Sequence, residues 1–76
     1  MNKARRKAIQ LIIDALTDIH ENLDVIRVEE QDAYDNLPES LQESDRGEAM
    51  STAVYNLEDA MEDINLAIDA LEEAQQ

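Results

Sequence analysis

Carboxylates at helical spacing are the first residues in this chain that could do chemistry. Asp14 with Asp18, Glu58 with Glu62, and Asp59 with Asp63 stand four apart. On a helix that spacing puts two oxygen ligands on one face, where Mg²⁺ or Ca²⁺ could be held. No calcium-loop motif accompanies them, and like charges four apart also describe a solvated, mildly self-repelling acidic face. His20-Glu21 begins a His-Glu-x-x-His pattern, but Asp24 stands where the second His belongs, so zinc-peptidase chemistry fails. The Glu-x-x-His signature of di-iron bundles is absent as well, because Thr17 lies three residues before His20. His20 is the only histidine, and no cysteine is present. With no phosphate-binding glycine loop and no nucleophile-base arrangement, the residues point away from an enzyme. They call for no cofactor and no metal.

One stretch has ligand-like character. Ser44, Arg46 and Gly47 precede a long apolar-periodic segment, so their amides would lie at a helix N-terminus, where free N–H groups and the dipole favour an anion. Tyr34 stands across the same turn and could stack on Arg46 or hydrogen-bond to it. A small nucleotide near Tyr34, Arg46 and Gly47 is one reading. A structural cap is the other, because Glu39, Glu43, Asp45 and Glu48 oppose an anion.

These residues belong to a turn, Tyr34 to Glu48, that holds the only Pro and the only Gly, and two arms leave it. In the first arm Ile9, Ile12, Leu16, Ile19, Leu23, Ile26, Glu30, Ala33 and Leu37 recur at alternating steps of three and four. This stripe predicts a helix over about 3–35. Met50, Val54, Leu57, Met61, Ile64, Ile68 and Leu71 predict a second over about 45–74. Pro38 stops the first helix, and Asn36 can cap it. Ser40 with Glu43 and Asp45 with Glu48 are competing capping boxes for the second, with a short extra turn over 38–42. The expected fold is all-α: one domain, 1–76, an antiparallel coiled-coil-like hairpin with its turn at 36–44.

Folding back about Ser40 pairs Ile9 with Leu71, Ile12 with Ile68, Leu16 with Ile64, Ile19 with Met61, Leu23 with Leu57, and Ile26 with Val54. It also sets Glu30 opposite Met50, within reach of Arg27 or Arg46 or free to snorkel. Lys3, Arg5, Arg6 and Lys7 fall beside Glu72, Glu73 and the terminal carboxylate. Ala53, Ala60, Ala67 and Ala74 recur every seven residues on one flank of the second stripe, and Ala8 and Ala15 flank the first. With Leu11, Val25, Ala49 and Ala70 they widen the apolar seam beyond what two helices cover. The expectation is a homodimeric four-helix bundle meeting through Ala8, Leu11, Ala15, Ala53, Ala60, Ala67, Ala70 and Ala74. Tyr55 and Leu66 point outward.

Charge narrows the partner. The chain carries 19 acidic and 6 basic residues, and from Ala8 onward two basic residues stand against all the acids, a balance of −17. Over a hairpin about 45 Å long that is one charge per roughly 2.7 Å, and dimerisation takes it toward the ~1.7 Å of duplex DNA. Direct binding to nucleic acid or to an anionic membrane is disfavoured, and a basic protein partner is favoured. No apolar run reaches signal-peptide or membrane-span length, so a cytoplasmic protein is expected.

The turn Tyr34-Asp35-Asn36-Leu37-Pro38-Glu39-Ser40-Leu41-Gln42, followed by Ser44, Arg46-Gly47-Glu48 and the alanine heptads, resembles small acidic helical-hairpin proteins of phages and other mobile elements. Leu37-Pro38-x-x-Leu41-x-Glu43-Ser44 also resembles a short segment of phage proteins that sequester cyclic nucleotides to blunt a host defence. The first resemblance implies a phage-type protein in the host cytoplasm. Taken with the charge density, the expectation is a protein that binds or inhibits a basic host protein, by nucleic-acid mimicry and in an anti-defence role; the alternative is acidity that only keeps a small bundle soluble. The second resemblance implies a nucleotide sponge, the ligand held between protomers. A structural or assembly protein is the remaining alternative.

Overall fold

The computed structural model describes every residue from Met1 to Gln76. It is all-helical, with α1 over Lys3–Asp35, α2 over Glu39–Gln42 and α3 over Asp45–Ala74. The two long helices pack against each other in a hairpin-like body of 58 × 15 × 12 Å.

Local chemistry sets the ends. Asn2 caps α1 from an extended backbone, its side-chain oxygen accepting the Arg5 amide at 2.8 Å. This meets one of the four donors that a helix start leaves free. At the other end Asn36 is the C-cap, its amide donating to the Asp32 carbonyl at 3.0 Å. Pro38 cannot donate, but its carbonyl accepts from the amides of Leu41 and Gln42 at 2.8 and 3.1 Å, winding the single turn of α2. Neither expected capping box starts α3. Ser44 does: its backbone is extended, its hydroxyl accepts the Gly47 amide at 3.4 Å and donates to the Leu41 carbonyl.

Gly47 makes this turn possible. It is buried, and a Cβ built on it would lie 2.1 Å from the Gln42 carbonyl oxygen and 2.5 Å from that of Leu41. Its backbone is not in the left-handed region, so close approach rather than backbone freedom demands glycine. Gln42 completes the joint, its Nε2 donating to the Tyr34 carbonyl at 3.1 Å and tying α2 to the last turn of α1. At the far end Gln75 Nε2 donates to the Arg6 carbonyl at 3.2 Å and to Gln10 Oε1 at 2.9 Å. Each end of the helix pair is thus clipped by a glutamine amide.

The α3 stripe lies as its spacing indicates. Met50, Leu57, Met61, Ile64, Ile68 and Leu71 are half-buried and Val54 is buried. On α1 the expected stripe needs correction. Ile9, Leu16, Leu23, Glu30, Ala33 and Leu37 are half-buried as expected, but at the other intervening positions Ile13, His20, Arg27 and Tyr34 are the covered residues. Ile13 is 5% exposed, whereas Ile12, Ile19 and Ile26 are 50%, 46% and 50% exposed. The expected layers of Ile12 with Ile68, Ile19 with Met61, and Ile26 with Val54 are therefore not buried on their α1 side. Ile12 and Ile13 are adjacent isoleucines, and both complete an alternating three-and-four pattern with Leu16. Apolar content favours one stripe, and the structure uses the other.

The expected ion-pair cluster is also absent. The one ion pair in the chain joins Arg27 to Asp24 at 2.9 Å within α1, so Arg27 does not hold Glu30, and Lys3, Arg5, Arg6 and Lys7 reach no carboxylate. Exposed pairs of long side chains gain about 1 kcal/mol or less, too little to fix them in place.

Because the space above Gly47 is filled by backbone, Gly47→Ala should lower stability by about 2–3 kcal/mol through displacement of α2. Urea unfolding followed by circular dichroism measures this, with the exposed Ala49→Gly, expected at about 1 kcal/mol, as the reference.

Candidate functional site

Of the three residues singled out at the turn, the structure brings two into the same joint and leaves the third outside it. Gly47 is covered by the backbone of Leu41 and Gln42, and its amide is bonded to Ser44 Oγ. That amide has no free direction in which to meet a phosphate. Tyr34 is half-buried, and its carbonyl accepts from the Leu37 amide at 3.0 Å and from Gln42. Arg46 is exposed and makes neither a hydrogen bond nor an ion pair from its side chain; it does not pair with Tyr34. Asp45 and Glu48, both in the first turn of α3, add negative charge where an anion would sit. The arrangement at this helix start acts as a cap, with the Ser44 hydroxyl shared between the two elements it joins.

The carboxylate pairs remain on exposed faces. Asp14 accepts from Gln10 Nε2 at 3.0 Å, and Asp18, Glu58, Glu62, Asp59 and Asp63 are exposed. No group of three His, Asp or Glu side chains is gathered closely enough to hold a metal ion. His20 is half-buried within the α1 stripe.

Two surface features stand out. The first is apolar: Leu11, Ile12, Ile19, Val25 and Ile26 all project from α1 into solvent. Ala8 and Ala15 beside them are exposed, as are Ala67, Ala70 and Ala74 on α3, while Ala53 and Ala60 are half-buried. Sequence reading identified the alanines and Leu11 but assigned the isoleucines to the interior. The signal that separates them is the pair Ile12-Ile13, which places bulky side chains on two faces at once.

The second is a pair of clefts that share Tyr34. One, of about 380 Å³, is lined by Gln31, Tyr34, Ser51, Val54, Tyr55 and Glu58. The other, of about 350 Å³, is lined by Tyr34, Glu39, Ser40, Gln42 and Glu43. Tyr34 and Tyr55 are the only aromatic residues in the chain, and the first cleft takes both. Their separation of twenty-one residues in sequence concealed this; only packing of α1 on α3 reveals it.

No helix is long and apolar enough to cross a membrane. Comparison of the chain with protein-family models, with curated proteins and with solved structures returns no match.

A capping role for the Ser44 hydroxyl predicts that Ser44→Ala destabilises the chain by about 1 kcal/mol. Arg46→Ala, at a side chain with no partner, should stay within about 0.5 kcal/mol. Thermal melts of the two variants at matched concentration measure the difference.

Proposed function

We propose that this chain is a non-enzymatic acidic binding protein. In this reading its two long helices form an antiparallel hairpin, two hairpins pair through the isoleucine and alanine face into a four-helix bundle, and the acidic faces left outside engage a basic partner protein.

The supporting observation is surface that a single copy cannot cover. Only three of 76 residues are buried, and the accessible surface is 5566 Å². A compact monomer of 8.6 kDa exposes about 4,700 Å². The excess of roughly 900 Å² is close to the ~800 Å² that each partner buries in a standard interface. Its chemistry fits a second copy. In an antiparallel pair Ile12, Ile19 and Ile26 fall on the same side of the seam as Ala53, Ala60, Ala67 and Ala74. Bulky side chains at seven-residue intervals then meet small ones at the same interval, and the face is self-complementary. The seven-residue rows through Ala8, Leu11, Ile12, Ala53 and Ala70 hold four acids, Asp18, Glu29, Asp32 and Asp63, so the other 15 of 19 lie elsewhere.

Charge supports the second half of the reading. A net charge of −13 over 58 Å is one charge per about 4.5 Å, and two copies side by side give one per about 2.2 Å, near the ~1.7 Å of duplex DNA. A surface of that density attracts proteins that carry clustered Lys and Arg. The resemblance of the turn to phage-borne proteins suggests a host nucleic-acid-binding protein as the target, with anti-defence as the setting.

Salt separates the two associations. Self-association must overcome repulsion between two −13 bodies, so added salt should strengthen it, whereas a complex with a basic protein should weaken. Sedimentation equilibrium across a salt series is expected to find a dimer. Ile19→Glu should weaken it at least about a hundredfold, since each of two copies loses about 1.5–3 kcal/mol of burial. Ile13→Glu, at a side chain buried within one copy, should unfold the hairpin instead. A wild-type chain that stays monomeric at high concentration and high salt would overturn the dimer. Failure to bind basic nucleic-acid-binding proteins at low salt would overturn the partner.

A further inference from the structure

The cleft between the two tyrosines has the composition of a cation site. Tyr34 and Tyr55 line it with Gln31, Ser51, Val54 and Glu58. Tyr55 is 68% exposed, an aromatic surface that the fold does not use. Glu58 is exposed and unpaired, because the chain's only ion pair lies between Arg27 and Asp24. Gln31 donates its Nε2 to Asp35 at 2.9 Å, which leaves its Oε1 able to accept. Beyond Tyr34 the second cleft adds Glu39 and Glu43, also exposed and unpaired. An aromatic wall, an unpaired carboxylate and a free carbonyl oxygen around about 380 Å³ suit a planar cation.

We propose that this cleft binds an arginine side chain of a basic protein partner, its guanidinium stacked on Tyr55 and hydrogen-bonded to Glu58. The inference rests on the basic-partner reading above and names the contact that would give it selectivity. Arginine fits better than lysine because a flat guanidinium both stacks on a ring and presents a fork to a carboxylate. Charge complementarity supplies the attraction: the chain is −13, and Glu39, Glu43 and Glu58 all open onto the two clefts. The cleft also stays open in the proposed dimer. Ser51 and Glu58 flank the α3 stripe on the side away from Ala53 and Ala60, so pairing through the alanines leaves them in solvent.

The test uses the full chain and a short capped peptide of arginines spaced by glycine and serine, with lysine and citrulline versions. Calorimetry at low ionic strength reads affinity, and NMR reads the tyrosine ring signals. The arginine peptide should shift the signals of Tyr34 and Tyr55 and bind more tightly than the lysine peptide, and the citrulline peptide should not bind. Tyr55→Leu should weaken binding roughly two- to fivefold. Glu58→Gln should cost about threefold and Glu73→Gln, the same charge change at a distant exposed site, less than about 1.5-fold. Equal losses from Glu58→Gln and Glu73→Gln with unmoved tyrosine signals would overturn the cleft while leaving the basic-partner reading intact. If neither the arginine peptide nor basic nucleic-acid-binding proteins bind at low salt, both readings fall.

Discussion

Two helices can cover only one stripe of each other, and a chain with apolar residues on more than one face must leave some of them in water. Everything distinctive about this molecule follows from that limit. With no third layer, only Ile13 and Val54 become buried apolar side chains, while the remainder of the seam is half-exposed. The chain's total surface of 5566 Å² exceeds that of a compact chain of this mass by roughly 900 Å², as its elongated 58 × 15 × 12 Å shape requires. A small domain without disulfides or metal has few ways besides burial to offset chain entropy. The same limit leaves polar residues in the α1 stripe. His20, Arg27 and Glu30 can lie half-buried because their tips reach water past the edge of a two-helix contact.

The turn answers a different constraint, the close passage of backbone over backbone. Gly47 admits the carbonyls of Leu41 and Gln42, and Ser44 bridges the two segments through one hydroxyl. Gln42 reaches back to Tyr34, so α1, α2 and α3 meet within a few residues of each other. This joint fixes where α3 starts, and so which of its faces meets α1. Ser44 and Gly47, which looked most like an anion site at the start of α3, are thereby engaged in joining α2 to α3, while Arg46 stays outside the joint.

The two long helices, the break at Pro38 and the α3 stripe were legible because nothing competes with them. In α3 one row of bulky apolar residues runs from Met50 to Leu71, and the rows flanking it are alanine on one side and Ser51, Glu58, Asn65 and Glu72 on the other. In α1 the rows compete. Ile9, Leu16 and Leu23 belong to either of two stripes, one completed by Ile12, Ile19 and Ile26, the other by Ile13, His20, Arg27 and Tyr34. Hydrophobicity selects the first, and the structure uses the second, since a row of isoleucine signals burial without naming the surface that buries it. The clefts around Tyr34 were not legible at all, because Tyr55 and Glu58 approach Tyr34 and Gln31 only after α3 folds onto α1.

The distribution of polarity between the two α1 stripes bears on how the chain gains its stability. If the isoleucine row were the intrachain seam, the hairpin would hold its best apolar residues inside and expose His20, Arg27 and Tyr34, a sound arrangement for a monomer. The observed choice is the reverse. His20, Arg27 and Tyr34 lie half-buried in the seam with Ile13, and Ile12, Ile19 and Ile26 are about half exposed, with Leu11 and Val25 alongside. A hairpin built this way draws little free energy from its own seam, and any partner that covers the isoleucine row stabilises the fold in proportion to its affinity. In the proposed dimer, folding and association would be one equilibrium. The acidic surface opposes it through repulsion between copies, and a basic partner lying across both hairpins would relieve that repulsion. In the proposed assembly the two surfaces are therefore coupled: neutralising the acidic faces strengthens the apolar contact, although most of the acids lie outside the apolar rows.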